Sequence, residues 1–528
     1  YTFVREGGRV VVTPVFKRWV EQRSPPELYN HGFENMESAG AVYSRASTHI
    51  FGDWNACGKV MGLAPWRHKF PAVETQKTRT MSGKIYSEDP ADAFTVHHDA
   101  IVGTPPASLG EKYGFSTDAS TPPSDAALGA VALAASVQDD LEESLLDLIA
   151  WLKTETKETN LCLAGGVALN SVLNGRACRE LGFDHTFVPP YPGDDGIAVG
   201  CCAAGLFGRG LFPDDAAPPE DDVPPPPPAW GRPLSPYGGP AYSPDDVADA
   251  LDRAAPWLHV REVADDDAAT TEAAAALADG KIVAWCRGRS EAGPRALGHR
   301  SILADPRDPG MVRRINREVK GREAFRPFAP SALAEHCREW FGVGGDASPY
   351  MSMTADVPQE LAAQIPAVVH VDGSSRLQTV RESDEPTYRA LIEKFYEHTG
   401  VPMVLNTSFN TLPGEPIVES PRDAVRSFLH VRGALDALFL ENHAVTRRPA
   451  NLRSVRTATP VRAGPYAVRT AEVVGTGDDG PSTASVRMPD RPTHSDLHDG
   501  GWAELTDGLE AEVLEMCDGG TGVDEMLG

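Results

Sequence analysis

Positive charge is what this chain has least of: 49 lysines and arginines stand against 75 aspartates and glutamates, a net charge of −26 over 528 residues. Phosphate backbones are gripped by broad basic surfaces, so the balance argues against RNA or DNA as the main partner. Long hydrophobic runs are missing too, since no stretch approaches the roughly 18 apolar residues of a membrane span. The opening YTFVREGGRVVV lacks the basic start, apolar stretch and cleavage site of a secretory signal, so a cytoplasmic protein with no membrane partner is expected. Eight cysteines are scattered without a C-x-x-C pair, which leaves no disulfide framework or zinc spacing and predicts reduced, buried thiols.

A chain this long cannot share one core and should divide. Residues 1–212 alternate helical and extended patterns. A long amphipathic helix is predicted over 126–153 from Leu141, Leu145, Leu146, Leu148, Ile149 and Leu152. A strand over 161–164, a Gly165-Gly166 turn, a helix over 167–181 and a strand over 186–188 then form the β-turn-α-β unit of a parallel α/β domain. Residues 213–241, with DDAAPPEDDVPPPPP, cannot enter a sheet interior and read as an extended linker. Residues 242–448 are again α/β, with a Thr-capped helix in TTEAAAALADG, a strand in KIVAW, a strand in VPMVLN, and a helix over 421–430 that has Ser420 as cap and Pro421 at its first position. Residues 449–528 form a C-terminal extension whose last stretch, from Gly501, reads as one or two short helices: a small docking domain or an appended helix pair.

Against the acidic background, residues 281–330 are locally basic. Arg287, Arg289, Arg295, Arg300, Lys320, Arg322 and Arg326 crowd a Gly/Pro-punctuated run, and paired guanidinium hydrogen bonds suit phosphate oxygens, so phosphoryl or acyl-phosphate chemistry is the first hypothesis. Many arginines only pair with carboxylates on a solvated face. Arg295, in a Gly-bounded loop, and Lys320 and Arg326, flanking the turn into apolar FRPFAP, stand apart because a charge there needs an anionic partner. Arg376 lies on a predicted strand, and Asn406, Ser408 and Asn410 follow the strand VPMVL, placed either to bind a ligand or to form a turn. Gly165-Gly166 is either a tight turn or a phosphate loop, with Asn170 and Asn174 just inside the helix. Asp194 and Asp195 in PGDDG are either turn formers or metal ligands. His97 and His98 lack the i, i+4 spacing of a helical ligand pair and read as surface residues.

Seven blocks in order resemble the O-carbamoyltransferase family, which includes nodulation-factor, cephem, aminoglycoside, aminocoumarin and ansamycin enzymes: CGKVMGLAPW (57–66), LCLAGGVALNSVLNGR (161–176), PGDDGIAVG (192–200), GRSEAGPRALGHRSILADPR (288–307), VKGREAFRPFAPSAL (319–333), HVDGSSRLQTV (370–380) and TGVPMVLNTSFNTLPGEPIV (399–418). The resemblance implies an actin-like ATPase (ASKHA) first half and a YrdC-like second half that turns carbamoyl phosphate and ATP into a carbamoyl adenylate for transfer to an acceptor hydroxyl. Carried over, Lys320, Arg326 and Arg295 are catalytic; Arg376, Asn406, Ser408 and Arg289 bind substrate; Gly165, Gly166 and Asn170 face the nucleotide; and Asp194 ligates a divalent, iron-type metal beside the Mg2+ that accompanies ATP. The family's opening Gly-His-Asp strand-loop, its later H-x-x-x-H pair and its D-G-x-G-E-like run are expected to lie ahead of residue 1, so the expected actin-like half is incomplete at its start. Either the chain is part of a longer protein or the transfer site is incomplete, and the histidine that would activate the acceptor cannot be named. An Ala/Arg/Asp/Pro-rich composition and the residues after 448 favour an ansamycin-type member acting on a macrolactam polyketide. A tRNA threonylcarbamoyl-type transferase, disfavoured by the acidic charge, and a non-catalytic actin-like regulator, which needs no second anion site, are the alternatives.

Overall fold

Helix signals in the first half materialise as packed helices. The computed structural model describes residues 1–6, 9–18, 38–70, 73, 77–102, 124–207, 235–411, 414–431 and 433–448, with 467–470, 484–487 and 502–505. An antiparallel pair, β1 (Thr2–Glu6) and β2 (Arg9–Thr13), precedes α1 (Ala39–Phe51), capped by Ser38, and α2 (Cys57–Leu63). A short antiparallel pair follows, β3 (Met81–Ser82) and β4 (Thr95–Val96), and then α3 (His98–Val102). The long predicted helix is α4 (Asp125–Thr156), started by the Ser124 side chain accepting from the Ala127 amide. Its Val131, Val137 and Leu141 pack with Val42, Ala46, Val60 and Leu63 in the core of this half.

The β-turn-α-β unit forms with its parallel pair, β5 (Asn160–Cys162) and β6 (His185–Phe187). The intervening helix α5 (Ser171–Glu180) starts four residues later than the pattern suggested, because a 3₁₀ turn occupies Gly166–Leu169 and Asn170 is the cap, accepting from Leu173 at 3.1 Å. Helix α6 (Ile197–Phe207) closes this half.

The second half, after α7 (Pro244–Arg253), is built on one mixed sheet: β7 (Leu258–Glu262), β8 (Val283–Cys286), β9 (Arg300–Ala304), β10 (Ala329–Leu333), β11 (Met353–Asp356), β12 (Ser374–Val380), β13 (Met403–Ser408), β14 (Ala437–Leu440) and β15 (His443–Arg447). Its nine strands run β11-β12-β10-β13-β9-β8-β14-β15-β7, with β10–β12 and β8–β14 parallel and the other pairs antiparallel. Between strands lie α8 (Asp266–Ala278), α9 (Met311–Arg314), α10 (Cys337–Phe341), α11 (Gln359–Ala362), α12 (Pro386–Thr399) and α13 (Pro421–His430). Strands β8, β9 and β10 are buried along their whole length, and Trp285, Phe395, Phe409 and Phe428 anchor the core; each such ring contributes about 1.5–3 kcal/mol by leaving water.

Helix α13 carries the predicted Ser420 cap, completed by Asp423 as a capping box. Helix α8 does not start at a threonine. Asp265 caps it, accepting from Ala268 at 2.8 Å, while Thr270 lies inside the helix and turns its hydroxyl back to the Asp266 carbonyl.

Of the predicted linker, residues 213–234 lie outside the described residues, and Tyr237 near its end stacks on His299 at 3.8 Å. A separate unit, Arg448–Gly528, contains an antiparallel sheet of β16 (Ala467–Thr470), β17 (Ala484–Arg487) and β18 (Trp502–Leu505). The short helices expected from Gly501 onward are therefore corrected at 502–505, which form a strand; 506–528 lie outside the described residues. Among the described residues no helix is long and apolar enough to cross a membrane. The seven described cysteines are free thiols, but only Cys286 and Cys337 are buried while Cys162, Cys201 and Cys202 are exposed, which corrects the expectation of buried thiols.

Candidate functional site

Sheet topology brings the distant basic segments to one place. Strand β12 carries Arg376, β13 carries Asn406 and Ser408, the β8–β9 connection carries Arg295, and the approach to β10 carries Arg322 and Arg326. All six line one cavity of ≈ 210 Å³, together with His370 and, from the first half, Gly58, Met61 and Gly62 of α2 and Ser171 and Val172 of α5. The site therefore lies where the two halves meet.

The β8–β9 loop is shaped by one carboxylate. Glu291 Oε1 accepts from the amides of Leu297 at 2.7 Å, His299 at 2.8 Å and Arg300 at 3.3 Å, which folds the run GPRALGH back on itself and presents Arg295. Gly298 has φ +114°, and a Cβ there would stand 2.3 Å from the Tyr388 ring, so only glycine fits. From β13, the Asn406 amide donates to the Ala296 carbonyl at 3.2 Å and to Ser331 Oγ at 3.0 Å, tying the loop to the sheet.

Among the described residues no aspartate or glutamate lines the cavity. Burial pushes the Arg295 guanidinium down to about 10, and neighbouring Arg326 adds to the effect. Arg376 is held well below its ordinary value by burial and then by Arg295, Arg322 and Arg326. Arg322 and Arg326 are likewise lowered, each chiefly by burial. The buried Arg376 Nε makes no hydrogen bond among the described residues, and Arg322 spends its Nε on Asn316 Oδ1 at 2.7 Å while lying over the Phe328 ring. Four mutually repelling cations with unspent donors suit a compact anion with several oxygens.

Lys320 stands behind this wall rather than in it. Its ammonium donates to the Ser408 carbonyl, to the Asn410 carbonyl at 3.0 Å and to Asn410 Oδ1 at 2.8 Å, and burial, then Arg322 and Arg326, hold it well below its ordinary value. Arg289 is exposed and donates to the Gly238 carbonyl at 3.3 Å, away from the cavity lining. Arg300 and Arg287 are structural: Arg300 is 1 % exposed and donates to the carbonyls of Glu419, Arg287 and His299, while Arg287 pairs with Asp266 and lies over Trp285.

The first-half candidates lie outside the cavity lining and divide between an open turn and buried amides. Gly165 and Gly166 are exposed, and the Gly165 amide donates to the Pro192 carbonyl at 2.7 Å, which lays their turn against the loop of Asp194 and Asp195. Asn170 exchanges hydrogen bonds with Gln138, which also accepts from Tyr43 at 2.7 Å, so this amide is committed inside the protein. Asn174 donates to the carbonyls of Ala168 and Ser352 and so joins the two halves. Asp194 is exposed, and among the described residues no group of three or more His, Cys, Asp or Glu is placed to hold a metal. His97 is half-buried and 2.8 Å from Ser82 Oγ, so it is less superficial than its sequence suggested.

Of the basic residues in the lining, Arg322 and His370 did not stand apart in the sequence. Arg322 was one basic residue among seven, and its signal was the spacing R-E-A-F-R, which puts Arg322 and Arg326 on either side of a buried phenylalanine. His370 had no signal beyond its place at the head of the HVDGSSR block.

Comparison with known proteins matches residues 17–204 to the model described as Carbamoyltransferase N-terminus and residues 274–447 to Carbamoyltransferase C-terminus. Nodulation protein NolO of Bradyrhizobium diazoefficiens is 37% identical over 323 residues, 61% of this chain and 55% of that protein. Nodulation protein U of Rhizobium tropici is 40% identical over 253 residues, 48% of this chain and 38% of that one. The chain spans about half the length of the curated relatives it matches. A solved structure of full-length HypF in a phosphate- and nucleotide-bound form aligns with 33% of this chain and 21% of that one at 15% identity and a TM-score of 0.23, too slight a likeness to bear on the fold.

Proposed function

The chain belongs to the carbamoyltransferase family, and on that premise we propose that it makes a carbamoyl adenylate from carbamoyl phosphate and ATP and passes the carbamoyl group to a hydroxyl of a small molecule. The observation that carries this reading is the cavity with Arg295, Arg322, Arg326 and Arg376 around it and, among the described residues, no carboxylate in its lining. Such a wall holds phosphate oxygens and steadies negative charge as it shifts between them.

Atom balance sets the order of events. Water cleaves carbamoyl phosphate to carbamate and inorganic phosphate; a carbamate oxygen attacks the α-phosphorus of ATP and pyrophosphate leaves; the acceptor oxygen then attacks the carbonyl carbon, losing its proton as AMP departs. In this scheme Arg295, Arg326 and Arg376 bind the phosphate groups. Asn406 and Ser408 orient the carbamoyl end, and Lys320 fixes the end of β13 that bears Ser408. Mg2+ would accompany ATP.

The first half is read as actin-like and the second as YrdC-like. Gly165 and Gly166 would meet a nucleotide, and Arg289 would reach substrate from the rim. Asp194 would contribute to a divalent metal, but the described residues supply no further ligand set, and no step is drawn through a metal. The acceptor is taken as a macrolactam polyketide of the ansamycin type, on the composition of the chain and its residues after 448.

The test is carbamoyl-phosphate-dependent exchange of pyrophosphate into ATP, followed by mass spectrometry of a polyketide panel for the gain of one carbamoyl group. Absence of exchange that depends on carbamoyl phosphate would end the proposal.

A further inference from the structure

The segment that carries Arg322 and Arg326 belongs to the second half by sequence but is anchored in the first. Phe325, between the two arginines, is 2 % exposed and packs in the hydrophobic cluster of α1, α2 and α4. It stacks on Phe51 with ring centroids 6.2 Å apart, and its carbonyl accepts from Trp66 Nε1 at 3.2 Å. Beside it, Lys59 of α2 places its ammonium 2.9 Å from Glu323 Oε1 and 5.4 Å from the centre of the Phe51 ring. The other oxygen, Glu323 Oε2, lies 3.8 Å from Arg326 NH1, too far for a hydrogen bond but close enough to favour the guanidinium charge.

Two cations thus share one carboxylate, unequally. Lys59 takes the short contact and fixes the orientation of the carboxylate. Arg326 is steadied by the remaining negative charge and keeps its donors for the cavity. We propose that Glu323 is a positioning residue for Arg326, held at that distance by Lys59, so that contact between the two halves sets the grip on the phosphate end of the substrate. The inference rests on the function proposed above. Burial raises the Glu323 carboxyl, but Lys59 and Arg326 outweigh it and leave the group below its ordinary range, hence ionised at neutral pH.

The arrangement has a specific consequence. Without the lysine, the carboxylate is free to close on Arg326 as a paired ion bridge, which then competes with incoming phosphate oxygens. Lys59→Met should raise the KM for carbamoyl phosphate in the exchange reaction about tenfold, and Glu323→Gln alone about threefold, with kcat within about twofold in both. Because Lys59 acts through Glu323, the double variant should fall back to the Glu323→Gln value rather than multiply the two losses. Lys59→Arg should stay near wild type. An unchanged KM in Lys59→Met, or multiplied losses in the double variant, overturns the inference. Calorimetry with inorganic phosphate on the same four variants and wild type separates the two proposals. If wild type shows no exchange, the proposed function fails, while the pattern of phosphate affinities still supports or overturns the positioning role.

Discussion

The ammonium of Lys320 donates to the backbone carbonyl of Ser408 and lies 3.3 Å from the hydroxyl of the same residue. With Asn410 supplying two further acceptors, the lysine staples the end of β13 from behind the cavity. Without the ammonium, the Ser408 carbonyl would keep the Asn410 amide at 3.1 Å and Asn410 Oδ1 the Ser408 hydroxyl at 2.8 Å, while the Asn410 carbonyl would lose its donor; Lys320→Met should cost about 1–3 kcal/mol for that group. The expected outcome is a marked drop in thermal stability together with loss of exchange. Lys320→Arg should not rescue it, because a planar fork cannot replace a compact ammonium among convergent acceptors. Thermal denaturation and exchange measured on both variants check this.

Arg376 makes the opposite prediction. It faces three other arginines, its Nε has no hydrogen-bond partner among the described residues, and burial together with those neighbours already disfavours its charge. Arg376→Met should therefore stabilise the ligand-free protein by about 1 kcal/mol while abolishing phosphate binding, as expected where a binding site stores repulsion. A rise in unfolding temperature of roughly 1–2 °C, with no calorimetric heat from inorganic phosphate, is the expected pair of results.

The cluster also fixes the sign of a pH effect. Folding lowers Arg295 to about 10 through burial and then Arg326. Below that pH the folded state holds a poorly solvated charge that the unfolded chain solvates freely, so the penalty is complete there. It is relieved as pH rises from about 10 toward the ordinary arginine value, where the unfolded state binds more protons. A bound anion favours the charged form and offsets the penalty. The gain in unfolding temperature given by phosphate should thus shrink above about pH 10. Near that pH, calorimetry in buffers of different ionisation enthalpy should show proton uptake on binding.

Local signals in the sequence translated well wherever one residue carried the information. Ser420 and Pro421 start α13 as their types dictate, and the parallel β5–β6 pair follows from its strand-turn-helix pattern. The start of α8 was misread because threonine and aspartate both cap helices. Three aspartates in a row at 265–267 outcompeted Thr270, which found a carbonyl inside the helix instead. The cavity was legible in its arginines but not in its walls. Nothing in CGKVMGL indicates that Gly58 and Gly62 border an anion site built on another half of the chain, and nothing in R-E-A-F-R indicates that Phe325 belongs to the core of the first half. Such contacts depend on how the two halves meet, which single-residue preferences do not encode. Buried arginines were ambiguous for the same reason: Arg300, at the start of β9, satisfies carbonyls and Arg295, in the loop before it, faces a cavity, yet both stand in one short Gly-rich stretch of sequence.

Asp194 separates the two chemical steps. It is exposed on the turn that lies against Gly165 and Gly166, and it does not line the arginine cavity. Exposed substitutions of this kind usually change stability by less than about 0.5 kcal/mol. Asp194→Ala should accordingly leave the unfolding temperature and the carbamoyl-phosphate-dependent exchange close to wild type. If the first half performs the transfer with help from a metal at this turn, the same variant should hold less divalent metal and carbamoylate the acceptor at least about tenfold more slowly, the scale on which losing a metal-site carboxylate is felt. Exchange, acceptor product and metal content are to be measured on one preparation. A parallel fall in exchange and transfer would mean that both steps share the arginine cavity, and the division of labour between the halves would have to be abandoned.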